Sequence, residues 1–267
     1  LRFGRHVRAR TPTVAGAGCN VPAIMGMRIL STMREKIIAG ILIVMVPCSA
    51  RNAIIFGAVA FYSGWQYALA LYVIIGVLWV LVGLALNRII PGHPTGLVME
   101  MFPFRRPHLV TIVKKTWHRF KDFIFMAVPI LLAGSIILGS LMQTGLLYRI
   151  ANVFSPVVEG WMGLPPVAGL TLIMGILRKE LALQLLITVA IATGVAADAH
   201  GDLNQVMTNA QLFIFALVCA IYIPCVATIA ALARELGWRR SIYIMIFTVA
   251  LAVLMGGLVN HAYLALR

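Results

Sequence analysis

The chain has 267 residues, 61% of them hydrophobic and only 11% charged, with a formal net charge of +14 and a mean hydropathy of +0.97. Soluble domains carry about 25% charged and about 45–50% apolar residues, so water cannot solvate this surface and the lipid bilayer must be the solvent for most of it. The positive charge sits in short clusters between apolar runs, the pattern of cytoplasmic membrane loops, and no nucleic-acid partner is expected from it.

The N-terminus, Leu1-Arg2-Phe3-Gly4-Arg5, is basic, but no clean apolar stretch with a small-residue cleavage site follows, so no cleavable signal is expected. The first residue is not Met, as in a piece of a longer chain. Segment 14–30 is apolar yet interrupted by Gly16, Gly18, Pro22 and Gly26. Apolar stretches of about 20 residues span a bilayer as helices, and they are predicted near 37–62, 67–87, 123–144, 209–233 and 241–264. Segment 166–197 is apolar but cut by Arg178-Lys179-Glu180. Both interrupted segments read as half-helices or re-entrant elements, tolerated at membrane depth only inside protein or beside a cavity.

Loop charge orients these elements. Arg88, Arg105, Arg106, Lys114, Lys115, Arg119 and Lys121 place 88–121 in the cytoplasm, together with Arg34 and Lys36 and the N-terminus. The uncharged turn Tyr62-Ser63-Gly64-Trp65-Gln66 then lies outside, and segment 14–30 enters and leaves on one side. A dip at 166–178 that returns through 181–197 keeps the basic turn of Arg234, Arg239 and Arg240 inside, with Asp198 and Asp202 on the opposite face. The two re-entrant elements therefore come from opposite faces. Each is followed by a proline-cysteine break, Val46-Pro47-Cys48-Ser49-Ala50 and Ile223-Pro224-Cys225-Val226-Ala227. That is a faint inverted repeat, the arrangement many secondary transporters use to build a site near the midplane.

Candidate chemistry gathers at these breaks. A proline within a helix removes one hydrogen bond and frees the carbonyl four residues earlier, here Ile43 and Ala220. A thiol beside a freed carbonyl is a cation site, or else a small hydrophobe at a kink. Cys19 and Asn20 open the broken helix after Gly16-Ala17-Gly18 and offer one soft and one hard ligand; the alternative is a glycine-rich packing contact. Thiolates select softer ions such as iron, zinc or copper(I) over magnesium and calcium. Glu180 either ligates a cation or pairs with Arg178, and Arg51 balances a carboxylate or braces a gate; ionisable groups at membrane depth default to function. The competing reading makes Arg178-Lys179-Glu180 a membrane-surface marker with snorkelling basic side chains.

His93, His108, His118, His200 and His261 share no helix face with a second ligand and read as solvated or interfacial. The sequence has no Gly-x-x-x-x-Gly-Lys-Ser/Thr loop and thus no GTP site of its own, and no enzyme-like constellation. The Ala252 and Gly256 spacing allows a close helix contact, compatible with a homo-oligomer.

Five stretches taken together resemble the ferrous iron transport protein B family (FeoB). They are Gly18-Cys19-Asn20-Val21-Pro22-Ala23-Ile24-Met25, Cys48-Ser49-Ala50-Arg51, Met99-Glu100-Met101-Phe102-Pro103-Phe104-Arg105-Arg106-Pro107, Gly175-Ile176-Leu177-Arg178-Lys179-Glu180 and Tyr222-Ile223-Pro224-Cys225-Val226-Ala227-Thr228. They occur in the family's order across nearly the whole chain. The resemblance implies an all-α polytopic transmembrane helical bundle with two gate-like inverted halves containing broken or re-entrant helices. It divides the chain into a first gate region at 1–87, a basic cytoplasmic loop and core helix at 88–144, and a second gate region at 145–267. It further implies transport of ferrous iron (Fe2+) across the inner membrane of a prokaryote, with Cys19, Cys48, Cys225 and Glu180 as metal ligands. Asn20, Arg51 and Arg178 then act in gating or charge balance.

In the family a GTP-binding domain precedes these helices and drives or gates them. This sequence departs there, lacking that domain and the first membrane helices. The expectation is a C-terminal piece, or a permease whose GTP-binding part is a separate polypeptide. Two other readings stay open: a nucleoside-type polar-solute carrier on related inverted gates, and a non-transporting subunit that docks a GTPase through 88–121.

Overall fold

The structure, a computed structural model, describes residues 7–30, 32–90, 108–143, 155–165, 168–169, 171–172, 175, 207–222 and 224–265. The described residues form helices and turns, with no strand among them. Four helical segments are long and apolar enough to cross a membrane: Met33–Ala60, Trp65–Ile89, Asn209–Leu236 and Trp238–Ala265. They coincide with four of the predicted spans.

In chain order, α1 (Val7–Gly16) and α2 (Asn20–Gly26) are separated at Cys19, and a 3-10 turn follows at Met27–Ile29. A Cβ added at Gly26, the end of α2, would lie 3.8 Å from Pro12 in mid-α1, and one at Gly16 would lie 3.6 Å from Asn20 Oδ1. The chain therefore doubles back on itself, as expected of a segment that returns towards its entry side. Thr32 starts α3 (Met33–Met45) by accepting from the Glu35 N–H, a side-chain cap of the usual kind. The helix stops at Pro47 and resumes as α4 (Ser49–Ile54), which widens into a π-helical turn at Ile55–Ala60. Gly64, with φ of 106°, makes the turn that an L side chain would strain and starts α5 (Trp65–Ile89).

Helix α6 (Leu109–Gln143) has 35 residues, about 52 Å at 1.5 Å per residue, longer than the roughly 30 Å hydrocarbon layer. Its second half covers the predicted span 123–144, and its first half carries Lys114, Lys115 and Lys121. A π-helical turn at Pro156–Trp161 precedes α7 (Asn209–Ile221), α8 (Val226–Leu236) and α9 (Trp238–Ala265). Thr208 and Gln211 form a reciprocal capping box at the start of α7.

The interrupted pairs α3–α4 and α7–α8 hold the centre. Ile43, Val44, Met45, Ile55, Phe215 and Leu217 are fully buried there. Helices α5 and α9 flank them and keep apolar side chains such as Leu69, Val73, Val77, Ile246 and Leu254 exposed on the outside, the face lipid would cover. Helices α7 and α9 pack together, as do α2 and α8, α3 and α5, and α6 and α8. Ala252 is fully buried, and a Cβ at Gly256 would lie 2.9 Å from Val218 of α7. The small-residue stripe thus serves an internal helix contact.

Residues 7–63 and the α7–α8 pair are joined at three levels. Ser63 Oγ hydrogen-bonds Asn209 Oδ1 at 3.2 Å, Arg51 reaches the break between α7 and α8, and Arg28 pairs with Glu235 at 2.6 Å. Residues 63 and 209 lie at the end of the first broken pair and the start of the second, so the two pairs run in opposite directions. The antiparallel course agrees with the direction expected of the two proline-cysteine breaks, while the re-entrant element expected at 166–197 lies almost wholly outside the described residues.

Candidate functional site

Three helices begin at a cysteine. Cys19, Cys48 and Cys225 are the residues immediately before α2, α4 and α8, the first two extended, and none caps its helix with its own side chain. Cys19 is exposed, Cys48 and Cys225 are half-buried, and the fourth cysteine, Cys219, is buried within α7. The Ser49 N–H donates to the Gly18 carbonyl at 3.1 Å, which fastens the break at Cys48 to the break at Cys19. Cys225 Sγ lies 3.1 Å from Thr228 Oγ1. Thr228 stands three residues after its cysteine, as Arg51 stands three after Cys48. The inverted halves therefore place a cation at one of the two matching positions and a hydroxyl at the other.

Arg51 is the centre of the arrangement and is 1% exposed. Its Nη1 donates to the Val44 carbonyl and, at 3.4 Å, to that of Val46. Its Nη2 donates to the Tyr222 carbonyl at 2.8 Å. Val44 lies in the last turn of α3, and Tyr222 directly follows α7, so two helix C-termini aim at one guanidinium. A helix C-terminus carries about half a negative charge and favours a cation. The arrangement compensates a buried charge that would otherwise cost several kcal/mol.

The broken backbone is accounted for group by group. The Val46 N–H donates to Leu42 and Ile43 at 3.2 Å each, and the indole N–H of Trp79 on α5 donates to Leu42 at 3.1 Å. The predicted free carbonyl at Ile43 is therefore occupied. The chain does not kink through Pro47 but ends one helix and starts another, so the oxygens of this break that meet Arg51 are those of Val44 and Val46. In the second half, too, it is the Tyr222 carbonyl that meets a donor across the break, where a kink had pointed to Ala220.

Asn20, at the first turn of α2, is 4% exposed, and its Oδ1 has no hydrogen-bond partner; Arg51 Nε is also buried without one. Buried polar atoms are seldom left so. Cys48, Cys225 and Cys219 are close enough to Arg51 to act on its charge. The site thus gathers two of the predicted cysteines, adds Cys219, Tyr222 and Thr228, and borders Asn20 through the Gly18–Ser49 link. No group of three His, Cys, Asp or Glu side chains is close enough to hold a metal among the described residues. Glu180 and Arg178 lie outside the described residues. Cys219 was not singled out from the sequence because it sits in an uninterrupted apolar run with no Pro or Gly beside it.

Residues 124–239 match the family described as Gate, nucleoside recognition. Residues 68–119 match the ferrous iron transport protein B C terminus. The Fe(2+) transporter FeoB of Methanocaldococcus jannaschii is 28% identical over 94% of this chain and 41% of that protein. That of Staphylococcus aureus is 25% identical over 95% of this chain and 40% of its own length. The Salmonella typhimurium transporter is 34% identical over 52% of this chain and 18% of its length. The chain spans about two-fifths of the length of the first two relatives. No solved structure matches.

Proposed function

The chain belongs to the ferrous iron transport protein B family, as its C-terminal membrane region, and from that premise we propose that it forms the Fe2+ permeation path of a GTP-linked iron uptake system in a prokaryotic inner membrane. One observation carries this reading: two oppositely directed broken helices, each restarting at a proline-cysteine pair, meet at a buried cation held by backbone carbonyls. Fe2+ is of intermediate softness, and a mixture of thiol and carbonyl oxygen suits it better than Mg2+ or Ca2+.

In this reading Cys19, Cys48 and Cys225 line the path with Glu180. Asn20 adds an oxygen, and Arg51 and Arg178 balance charge or gate. The first gate is 1–87, the basic loop and core helix 88–144, and the second gate 145–267. A GTP-binding domain or subunit acts on the basic loop, and copies of the chain associate within the membrane.

The test is Fe2+ uptake into liposomes holding this chain, under reducing anaerobic conditions, with and without a large excess of uridine. The permease reading predicts uptake above empty liposomes that uridine leaves unchanged. Uridine uptake without Fe2+ uptake would transfer the chain to the polar-solute carriers.

A further inference from the structure

The carbonyls of Val44, Val46 and Tyr222 come from two different broken helices, yet all three accept from one side chain. Among the described residues, the acceptors of that side chain are backbone oxygens. Two helix C-termini supply the field, and fixed dipoles of this kind stabilise any cation placed there, tethered or free. Half-helix C-termini and unwound carbonyls are the usual way a membrane protein holds a small cation. Arg51 Nε, meanwhile, is buried with no acceptor, so the guanidinium is only partly matched to its surroundings.

We propose that these three carbonyls are the oxygen ligands of a divalent metal and that the Arg51 guanidinium is a tethered occupant which the metal displaces. This rests on the cation-permease reading and adds to it a site made of backbone oxygen, with Cys48 and Cys225 at its edge. The Val44 carbonyl is bonded in a buried setting and those of Val46 and Tyr222 in part-buried ones, so giving up their charged donor unreplaced is unfavourable. They therefore hold either the side chain or the ion. When the ion arrives, Arg51 leaves Tyr222 and the link between the halves opens. When the ion departs, Arg51 closes it again. The tether thus couples occupancy to the contact between the two inverted halves.

The experiment uses Co2+ as the probe, titrated under reducing conditions into the purified chain in detergent, with absorption read for bound cobalt and for thiolate-to-cobalt charge transfer. Parent, Arg51→Lys and Arg51→Gln are compared. Lysine keeps a buried cation but offers a point charge with shorter reach, and glutamine retains an N–H donor group without the charge. The expected affinity order is parent weakest, Arg51→Lys about threefold to tenfold tighter, and Arg51→Gln at least tenfold tighter than the parent. The charge-transfer band should be lost when Cys48 and Cys225 are both serine. Equal or weaker Co2+ binding by a folded Arg51→Lys overturns the proposal, and that variant decides the matter should Arg51→Gln fail to fold. A failure of Fe2+ uptake would count against the permease reading alone, whereas a failed affinity order with intact uptake would discard the carbonyl site alone.

Discussion

Arg51 Nη2 and the carbonyl oxygen of Tyr222 lie 2.8 Å apart across 171 residues of sequence. That bond joins the break after α3 to the break after α7, and it places a fully buried positive charge between the inverted halves. Removing the guanidinium leaves three carbonyls without their shared donor. Arg51→Ala should therefore lower the stability of the detergent-solubilised chain by about 3 kcal/mol. Arg51→Lys should lose markedly less, because it keeps a cation on the two helix ends. Thermal unfolding followed by helical circular dichroism separates the two variants, and equal losses would mean that charge is not what matters at this position.

Trp161 closes the far end of the α7–α9 pair. Its indole N–H donates to the Val253 carbonyl at 3.0 Å, and Asn260 Nδ2 donates to the Trp161 carbonyl at 3.1 Å. The ring lies directly on Gly257, where an added Cβ would come within 1.7 Å of Nε1. Gly257→Ala must expel the indole and should cost about 2–3 kcal/mol. Gly76 on α5 has nothing within 4 Å of an added Cβ, so Gly76→Ala should stay within about 0.5 kcal/mol of the parent or gain slightly from helix propensity. Melting the two variants side by side checks the contrast.

An ion pair joins Arg28, in the turn after α2, to Glu235 in the last turn of α8. The arginine side chain is 54% exposed and the carboxylate 9%, so water screens one partner and the pair is worth little. A double-mutant cycle with Arg28→Gln and Glu235→Gln should give a coupling of roughly 0.5–1 kcal/mol, shrinking as salt is raised. A coupling unaffected by salt would contradict the exposed geometry.

The indole of Trp79 supports the Leu42 carbonyl, which also accepts from the Val46 N–H. Because a donor remains, Trp79→Phe should cost no more than about 1 kcal/mol. A much larger loss in the same unfolding assay would show that the two donors are not interchangeable.

Much of this architecture is legible in the sequence. Four apolar runs announce their membrane spans by length alone, and the Pro47-Cys48 and Pro224-Cys225 pairs mark where the spans break. The glycines around Cys19 mark the doubling back of α1 on α2. What is not legible is the reach of Arg51. Local reasoning about a kinked helix points to Ile43, yet the helix ends outright, Val46 covers Ile43, and the oxygens that meet Arg51 are those of Val44 and Val46. The partner at Tyr222 depends on how two distant segments pack, for which a single sequence carries no signal. Cys219 is hidden for the same reason: only the packing of α7 against α4 brings it into the field of Arg51. Arg178 and Glu180 fall outside the described residues.

The central claim is that Fe2+ crosses between the two broken helices past their cysteines. The most direct measurement is Fe2+ uptake into liposomes, under reducing anaerobic conditions, by the parent chain and by a variant with Cys19, Cys48 and Cys225 all replaced by serine. Serine keeps the size and the extended backbone but removes the soft ligand, so the fold should survive while uptake falls to the level of empty liposomes. Uptake undiminished in the serine variant would contradict the account.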